Sequence, residues 1–317
     1  MKKILIFLLI LSVKVAVGQQ VSQNTLYYQN LYLINPAEAG ANQQTEFHLS
    51  HRQQWLGFEG APTTTWFSAQ SKINDKLSLG TKINYDQISF FEQLQFDASA
   101  AYKIKIDASN EINFGLSLGI KQGSLVMENM VATDYSDHIL QNNSVNGIGF
   151  HSEFGLTYSF KKKLAIGLAL PQLFSSSIDL EPTTSESSFV FNSHRFFYIS
   201  YQMDMSEDVT FTPLLLLKRA TGYSTQIEFL GNFNFQNKFW GGLGIRQQNG
   251  LLVNLGFSPI DNLKMSYAYE FNSNGIAQFS SGTHEIMLAY VIGKKSKENQ
   301  GNLQDLPEDQ NEIKKED

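Results

Sequence analysis

From Phe47 to Ile292 apolar and polar residues alternate with a period of two. Leu77, Leu79, Thr81, Ile83 and Tyr85 fall on one face of an extended chain, and Ser78, Gly80, Lys82, Asn84 and Asp86 on the other. The next segment sets Leu94, Phe96, Ala98, Ala100, Tyr102 and Ile104 against Gln93, Gln95, Asp97, Ser99, Ala101 and Lys103. A third sets Ile112, Phe114, Leu116, Leu118 and Ile120 against Asn113, Gly115, Ser117, Gly119 and Lys121. Successive side chains of a strand point to opposite faces, whereas a helical face repeats at three and four residues. Helical spacing fits none of these segments, so the chain reads as all-β. About fourteen strands follow from the pattern. They span 45–53, 63–73, 77–87, 92–106, 111–121, 148–160, 164–171, 194–203, 209–218, 225–235, 239–247, 250–259, 263–271 and 283–292.

The connections say how such strands assemble. Residues 74–76, 107–110, 161–163, 204–208, 236–238 and 260–262 are short and polar, and between them lie mostly longer connections at 54–62, 122–147, 172–193 and 272–282. Connections 219–224 and 248–249 break the rule by being short. Alternating tight turns and long loops mark an outer-membrane barrel, and most runs have about the 9–11 residues that a tilted membrane strand needs. A soluble β-sandwich is the competing reading. The even, large strand number, the charged and small residues on the polar face, and aromatics such as Tyr85, Tyr102, Tyr158, Phe160, Phe235, Tyr267 and Phe271 near strand ends favour an antiparallel transmembrane β-barrel.

Residues 1–18 read as a secretory signal peptide. Lys2 and Lys3 precede the apolar Ile4–Leu11, and Ala16 and Gly18 place small residues before a cleavage site at Gln19. Beyond it no apolar run approaches the ~18 residues of a membrane helix; the longest is Pro213–Leu217. With no cysteine, disulfides, thiolate metal sites, a cysteine nucleophile and a lipoprotein anchor are all excluded. A net charge of −6 disfavours a nucleic acid partner. The expected organisation is a periplasmic N-terminal segment at 19–44, a barrel at 45–292, and a polar, disordered tail at 293–317, which strand parity leaves in the periplasm.

The most distinctive stretch precedes the second strand. It runs from Tyr27 through Asn35-Pro36-Ala37-Glu38-Ala39-Gly40, then Arg52-Gln53-Gln54-Trp55-Leu56-Gly57-Phe58-Glu59-Gly60-Ala61-Pro62 and the threonines after it. The chain closes on Gly282-Thr283-His284-Glu285-Ile286-Met287-Leu288-Ala289-Tyr290. These elements resemble the PorP/SprF family of outer-membrane barrels associated with type IX secretion and gliding, over roughly residues 24–292, with Glu38 where the family usually carries an aromatic. The resemblance implies a non-enzymatic role with other type IX secretion components. It also implies support of a dedicated exported surface protein, such as an adhesin, through that protein's C-terminal domain. A passive outer-membrane porin for small solutes is the alternative. Read physically, Asn35-Pro36 enforces a turn, and Gly57, Gly60 and Pro62 shape a tight connection. Trp55 and Phe58 are expected either to latch the barrel mouth, to sit in an aromatic girdle, or to touch a partner.

No catalytic constellation or cofactor motif emerges. A lipid hydrolase on the outer face needs adjacent Ser and His with an orienting Asn or Asp, whereas His151 falls on the polar face with Glu153 and Thr157. Asp134, Asp137 and His138 offer a weak cation cluster in the 122–147 loop, and a solvated polar loop accounts for them as well. The lumen face carries Lys72, Lys82, Asp97, Lys103, Lys121, Glu153, Glu228, Arg246, Lys264, Glu270 and Glu285. Neither sign dominates, which favours a cross-linked interior over a selective channel. Met127, Met130, Val131, Tyr135, Ile139 and Leu140 make the longest loop apolar enough either to dock a partner or to fold inward as a plug.

Overall fold

A computed structural model describes residues 21–126, 144–179, 188–247, 249–273 and 275–293. Fourteen antiparallel strands close into a barrel. In chain order they are β1 (Thr45–Gln53), β2 (Thr63–Lys72), β3 (Leu77–Ile88), β4 (Phe91–Lys105), β5 (Asn110–Val126), β6 (Ser144–Phe160) and β7 (Leu164–Ser175). There follow β8 (His194–Tyr201), β9 (Val209–Ala220), β10 (Gln226–Phe235), β11 (Phe239–Arg246), β12 (Gly250–Ile260), β13 (Leu263–Glu270) and β14 (Thr283–Ile292). Each strand pairs with its sequence neighbours, and β1 with β14 completes the ring, Thr45 opposite Ile292 and Gln53 opposite His284. Closure leaves no unpaired edge, which is the condition for a sheet to sit in hydrocarbon. The sandwich reading is thereby excluded.

The alternation sorts as expected. Leu116, Leu118 and Ile120 of β5 face outward and are exposed, while Asn113, Ser117 and Lys121 are buried inside. Tyr85, Tyr102, Phe235 and Phe271 lie exposed near strand ends. Strands β5 and β6 run further than 111–121 and 148–160, because the inward positions Gly123, Val145 and Gly147 continue the small or apolar side of the pattern. Strand β7 continues past 171, but its ladder with β6 slips between Ser152 and Phe154. Pro171 lies opposite that slip and has no N–H to give.

The lumen is where expectation and structure part. The segment expected to precede the barrel in the periplasm is inside it. It forms three short 3-10 turns, Leu26–Gln29, Leu31–Leu33 and Pro36–Glu38, and Leu26, Tyr27, Tyr32 and Ala37 are almost fully buried. Apolar matching drives it there. Tyr27 packs on Ala169, Phe196, Tyr198, Leu214 and Leu216, with Val21, Leu31 and Ile34 alongside. This explains the run Pro213–Leu217: β9 meets lipid on one face and the inserted segment on the other, so both faces are apolar. Burying each large side chain contributes roughly 1.5–3 kcal/mol.

Connection 172–193 also turns inward where it is described. Ile178–Asp179 pairs with Ser188–Phe189. Ile178 is fully buried against Val145, Leu125, Phe189 and Phe191. Phe189 stacks on Phe91 at 5.2 Å. The small inward residues Gly147 and Gly149 make room for it. Met127, Met130, Tyr135 and Ile139, with Asp134, Asp137 and His138, lie outside the described residues. So do the signal peptide and nearly all of the polar tail.

Candidate functional site

The inserted segment is held at three places along the barrel. Near the long-loop end, the Glu285 carboxylate accepts the backbone N–H of Thr25 at 2.6 Å and of Leu26 at 3.1 Å. Arg52, opposite Glu285 in the β1–β14 ladder, lies 3.4 Å from it and 2.9 Å from Glu270. Arg246 continues the chain with Glu270 and Glu228, both at 2.7 Å, and its Nη2 donates to the Asn24 carbonyl at 3.2 Å. Lys218 reaches Glu228 at 3.8 Å. Arg52, Arg246 and Lys218 thus match Glu228, Glu270 and Glu285 charge for charge. Buried ions need such matching, because removing them from water costs several kcal/mol each.

At mid-depth the Tyr32 hydroxyl donates to Ser99 at 2.8 Å, and Ser99 meets Ser117 across the β4–β5 ladder at 2.7 Å. The Tyr32 ring fits over Gly80, where a Cβ would stand 2.6 Å from it. Beside it Lys82 pairs with Glu153, and His151 with Asp97 at 2.7 Å. Asp97, His151 and Glu153 bring possible metal-ligand atoms within 4.8 Å of one another. The Lys82 ammonium already supplies the cation at Glu153, so the group reads as an ion-pair lattice.

Toward the short-turn end lies the Asn35-Pro36 element. Asn35 begins the 3-10 turn Pro36–Glu38 by accepting the Ala37 N–H at 3.0 Å. Its Nδ2 donates to Thr157 and Tyr198, each at 3.2 Å. Thr157 and Tyr198 both donate to Glu38. Glu38 thus gathers two hydroxyls, from β6 and β8, on one carboxylate oxygen. The element lies on a trough made by Gly115 and Gly155, which face each other across β5 and β6. A Cβ on Gly155 would sit 1.9 Å from Asn35 Oδ1, and one on Gly115 2.2 Å from the Ala37 nitrogen. Gly40, at φ +67, then turns the chain toward β1 beside Ser78.

The motif residues are thus divided among different places. Asn35, Pro36 and Gly40 seat the segment, and Arg52 and Glu285 clasp it. Gln53 ends β1. Gln54, Trp55, Gly57, Phe58, Gly60 and Pro62 form the rim. There the Gln54 N–H donates to Pro62 O, and Leu56 exchanges backbone hydrogen bonds with Gly282 and Ser281. Trp55 adopts φ 50 and meets Phe58 edge-on at 6.5 Å. Phe58 is exposed, so this pair is no latch inside the mouth: the bonds to 281–283 hold its loop on the rim. His284 faces outward, bonded to the Tyr267 hydroxyl at 2.7 Å. The sequence pattern places Gly115 and Thr157 on the polar face without giving them, Tyr198 or Gly155 a role in seating the segment; the signal there was a pair of glycines at facing inward positions.

A family description, type IX secretion system membrane protein PorP/SprF, matches residues 16–290. No protein of curated function matches the chain. Among solved structures, the CymD monoaromatic hydrocarbon channel is similar with TM-score 0.53 at 11% identity, covering 84% of this chain and 99% of that one. The P. putida toluene transporter TodX is similar with TM-score 0.51 at 10% identity, covering 84% and 94%. At such identity these two share the barrel fold.

Proposed function

The chain belongs to the PorP/SprF family of type IX secretion system membrane proteins and resides in the outer membrane, and from that premise we propose that it is a closed platform for a dedicated exported surface protein. In this reading it works with other secretion components. It receives or holds the C-terminal domain of an adhesin-like partner at the outer membrane, and it performs no catalysis. The short turns then face the periplasm and the long loops the exterior. One observation supports the platform over a passive porin: the lumen is occupied by the chain's own residues 21–40, tied to the wall by Glu285, Arg246 and the Asn35 element. A porin needs a continuous aqueous path, and here Arg52, Arg246 and Lys218 of the wall pair with Glu228, Glu270 and Glu285 around the segment.

The test combines two measurements. The purified full chain is placed in planar bilayers, and exported surface proteins are compared in cells with and without it. The expected result is no steady open-pore conductance, together with loss of one surface protein in the deletion. Stepwise conductance by the intact chain, with surface proteins unchanged, would overturn the reading in favour of the channel.

A further inference from the structure

In the outer half of the barrel the inserted segment leaves a small cavity that is partly open to solvent. It lies between Val21–Asn24 and the inner faces of β2 to β9, beneath the inward-turned connection that carries Phe191. Around it five deeply buried groups present polar atoms with no hydrogen-bond partner among the described residues.

Two of them are donors. Lys121 is 4% exposed, and among the described residues its ammonium reaches no hydrogen-bond acceptor; its close neighbour is the Phe191 ring, 4.5 Å from the ring centre. Trp66 has its indole Nε1–H unpaired. Three are acceptors. Asn84 donates through Nδ2 to Ser22, and Asn24 through Nδ2 to Ser50, which leaves both Oδ1 atoms unpaired. His194 Nδ1 faces two oxygens, Gln172 Oε1 at 2.7 Å and Asn192 O at 2.8 Å, so it carries the proton and Nε2 offers a lone pair. The other charges are engaged: Glu153 with Lys82, and Lys218 with Glu228.

Leaving buried polar groups unpaired is destabilising, so five around one cavity call for a ligand that both accepts and donates. The unpaired ammonium and the indole N–H call for a carboxylate. The three acceptors call for hydroxyl groups on the same molecule, and the cavity's size limits it to a few carbons. We propose that this cavity binds a small hydroxylated carboxylate, with its carboxylate on Lys121 and Trp66 and its hydroxyls on Asn84, Asn24 and His194. The site is independent of the secretion role, which rests on the segment and not on the cavity.

The test is calorimetric titration of the full-length protein in detergent with sodium glycerate, with acetate, glycerol and inorganic phosphate as separate arms. Glycerate is expected to bind saturably, and acetate, glycerol and phosphate each about tenfold or more weaker, since each lacks half of the match. Lys121→Met removes an unpaired buried ammonium without leaving a new one, so the barrel is expected to fold and to lose about tenfold or more in glycerate affinity. Trp66→Phe keeps the ring, loses the N–H and is expected to bind more weakly. Absence of glycerate binding, or equal binding by the Lys121→Met variant, would overturn the proposal. Acetate or phosphate binding as well as glycerate would make it a general anion site, and glycerol binding as well would remove the carboxylate's role; either result also overturns it.

Discussion

The carboxylate of Glu285 accepts the backbone N–H of Thr25 at 2.6 Å, joining the last strand to the segment that enters the lumen, 260 residues apart in sequence. Strand pairing alone closes the barrel. This bond and its neighbour at Leu26 decide what occupies the inside. Glu285→Ala leaves two N–H groups unpaired and Arg52 with Glu270 as its remaining carboxylate. Breaking a buried pair from one side costs about 3–5 kcal/mol. Equilibrium unfolding in micelles is expected to show that loss, and hydrogen exchange to show Thr25 and Leu26 deprotected while β1–β14 amides stay protected. Unchanged exchange at Thr25 would mean that the segment is held without Glu285.

Gly155→Ala tests the other end. The new Cβ would lie 1.9 Å from Asn35 Oδ1 and 2.9 Å from the Ala37 nitrogen, so the Asn35 side chain and the Pro36 turn must shift. Overpacking of this kind costs about 1–3 kcal/mol. The expected outcome is a folded barrel with the Asn35–Gly40 region displaced, seen as loss of exchange protection at Ala37, whose N–H is donated to Asn35. Gly57→Ala, with nothing within 4 Å of the added Cβ, controls for backbone strain at φ +94 in the rim.

Strands, register and lumen charges were legible because lipid enforces a strict alternation, and a one-residue slip would turn every apolar side chain into the lumen and every polar one toward lipid. The limits of β5, β6 and β7 were less so, since Gly123, Gly147 and Pro171 give little hydropathic signal. The occupied lumen was invisible for a physical reason. The residues that receive the segment, Ser99, Thr157 and Glu285, are ordinary members of a polar face. The segment itself has no period, only short turns, of which Asn35 caps the last. Glu38 looked like a departure from the family pattern. Its meaning lies in Thr157 and Tyr198, which are brought to it only by closure of the barrel.

Leu116→Arg is expected to cost about 2–4 kcal/mol in lipid, because Leu116 is exposed on the outer face toward the middle of β5. From the sequence pattern alone the neighbouring Ser117 reads as a roomy lumen position; in the structure it is fully buried against Ser99 under Tyr32. Ser117→Arg is therefore expected to be costly too, by displacing Tyr32 rather than by meeting lipid. The two are separated by solvent: transfer from bilayers to micelles is expected to relieve part of the Leu116→Arg penalty and none of the Ser117→Arg penalty. Equal relief of both would refute the register.

The turn between β4 and β5 offers a test of acid sensitivity outside the membrane. Asp107 Oδ1 accepts the N–H of Ser109 at 2.7 Å and of Asn110 at 2.8 Å. The Ser109 N–H, followed by the Asn110 side chain, holds the carboxyl below its ordinary value of 3.8. A carboxylate with a depressed folded value contributes stability that is present above the unfolded value and is lost as pH falls through the folded one. The turn is thus expected to keep its order at neutral pH and to loosen only below the ordinary aspartate range. Carbon NMR of the labelled side chain in micelles should give a midpoint below 3.8. Amide exchange at Ser109 and Asn110, corrected for intrinsic rates, should rise across that same midpoint. Asp107→Asn keeps a neutral acceptor and is expected to abolish the pH dependence while retaining the turn. A midpoint at or above the ordinary value, or the same pH dependence in Asp107→Asn, would show that these bonds do not hold the turn.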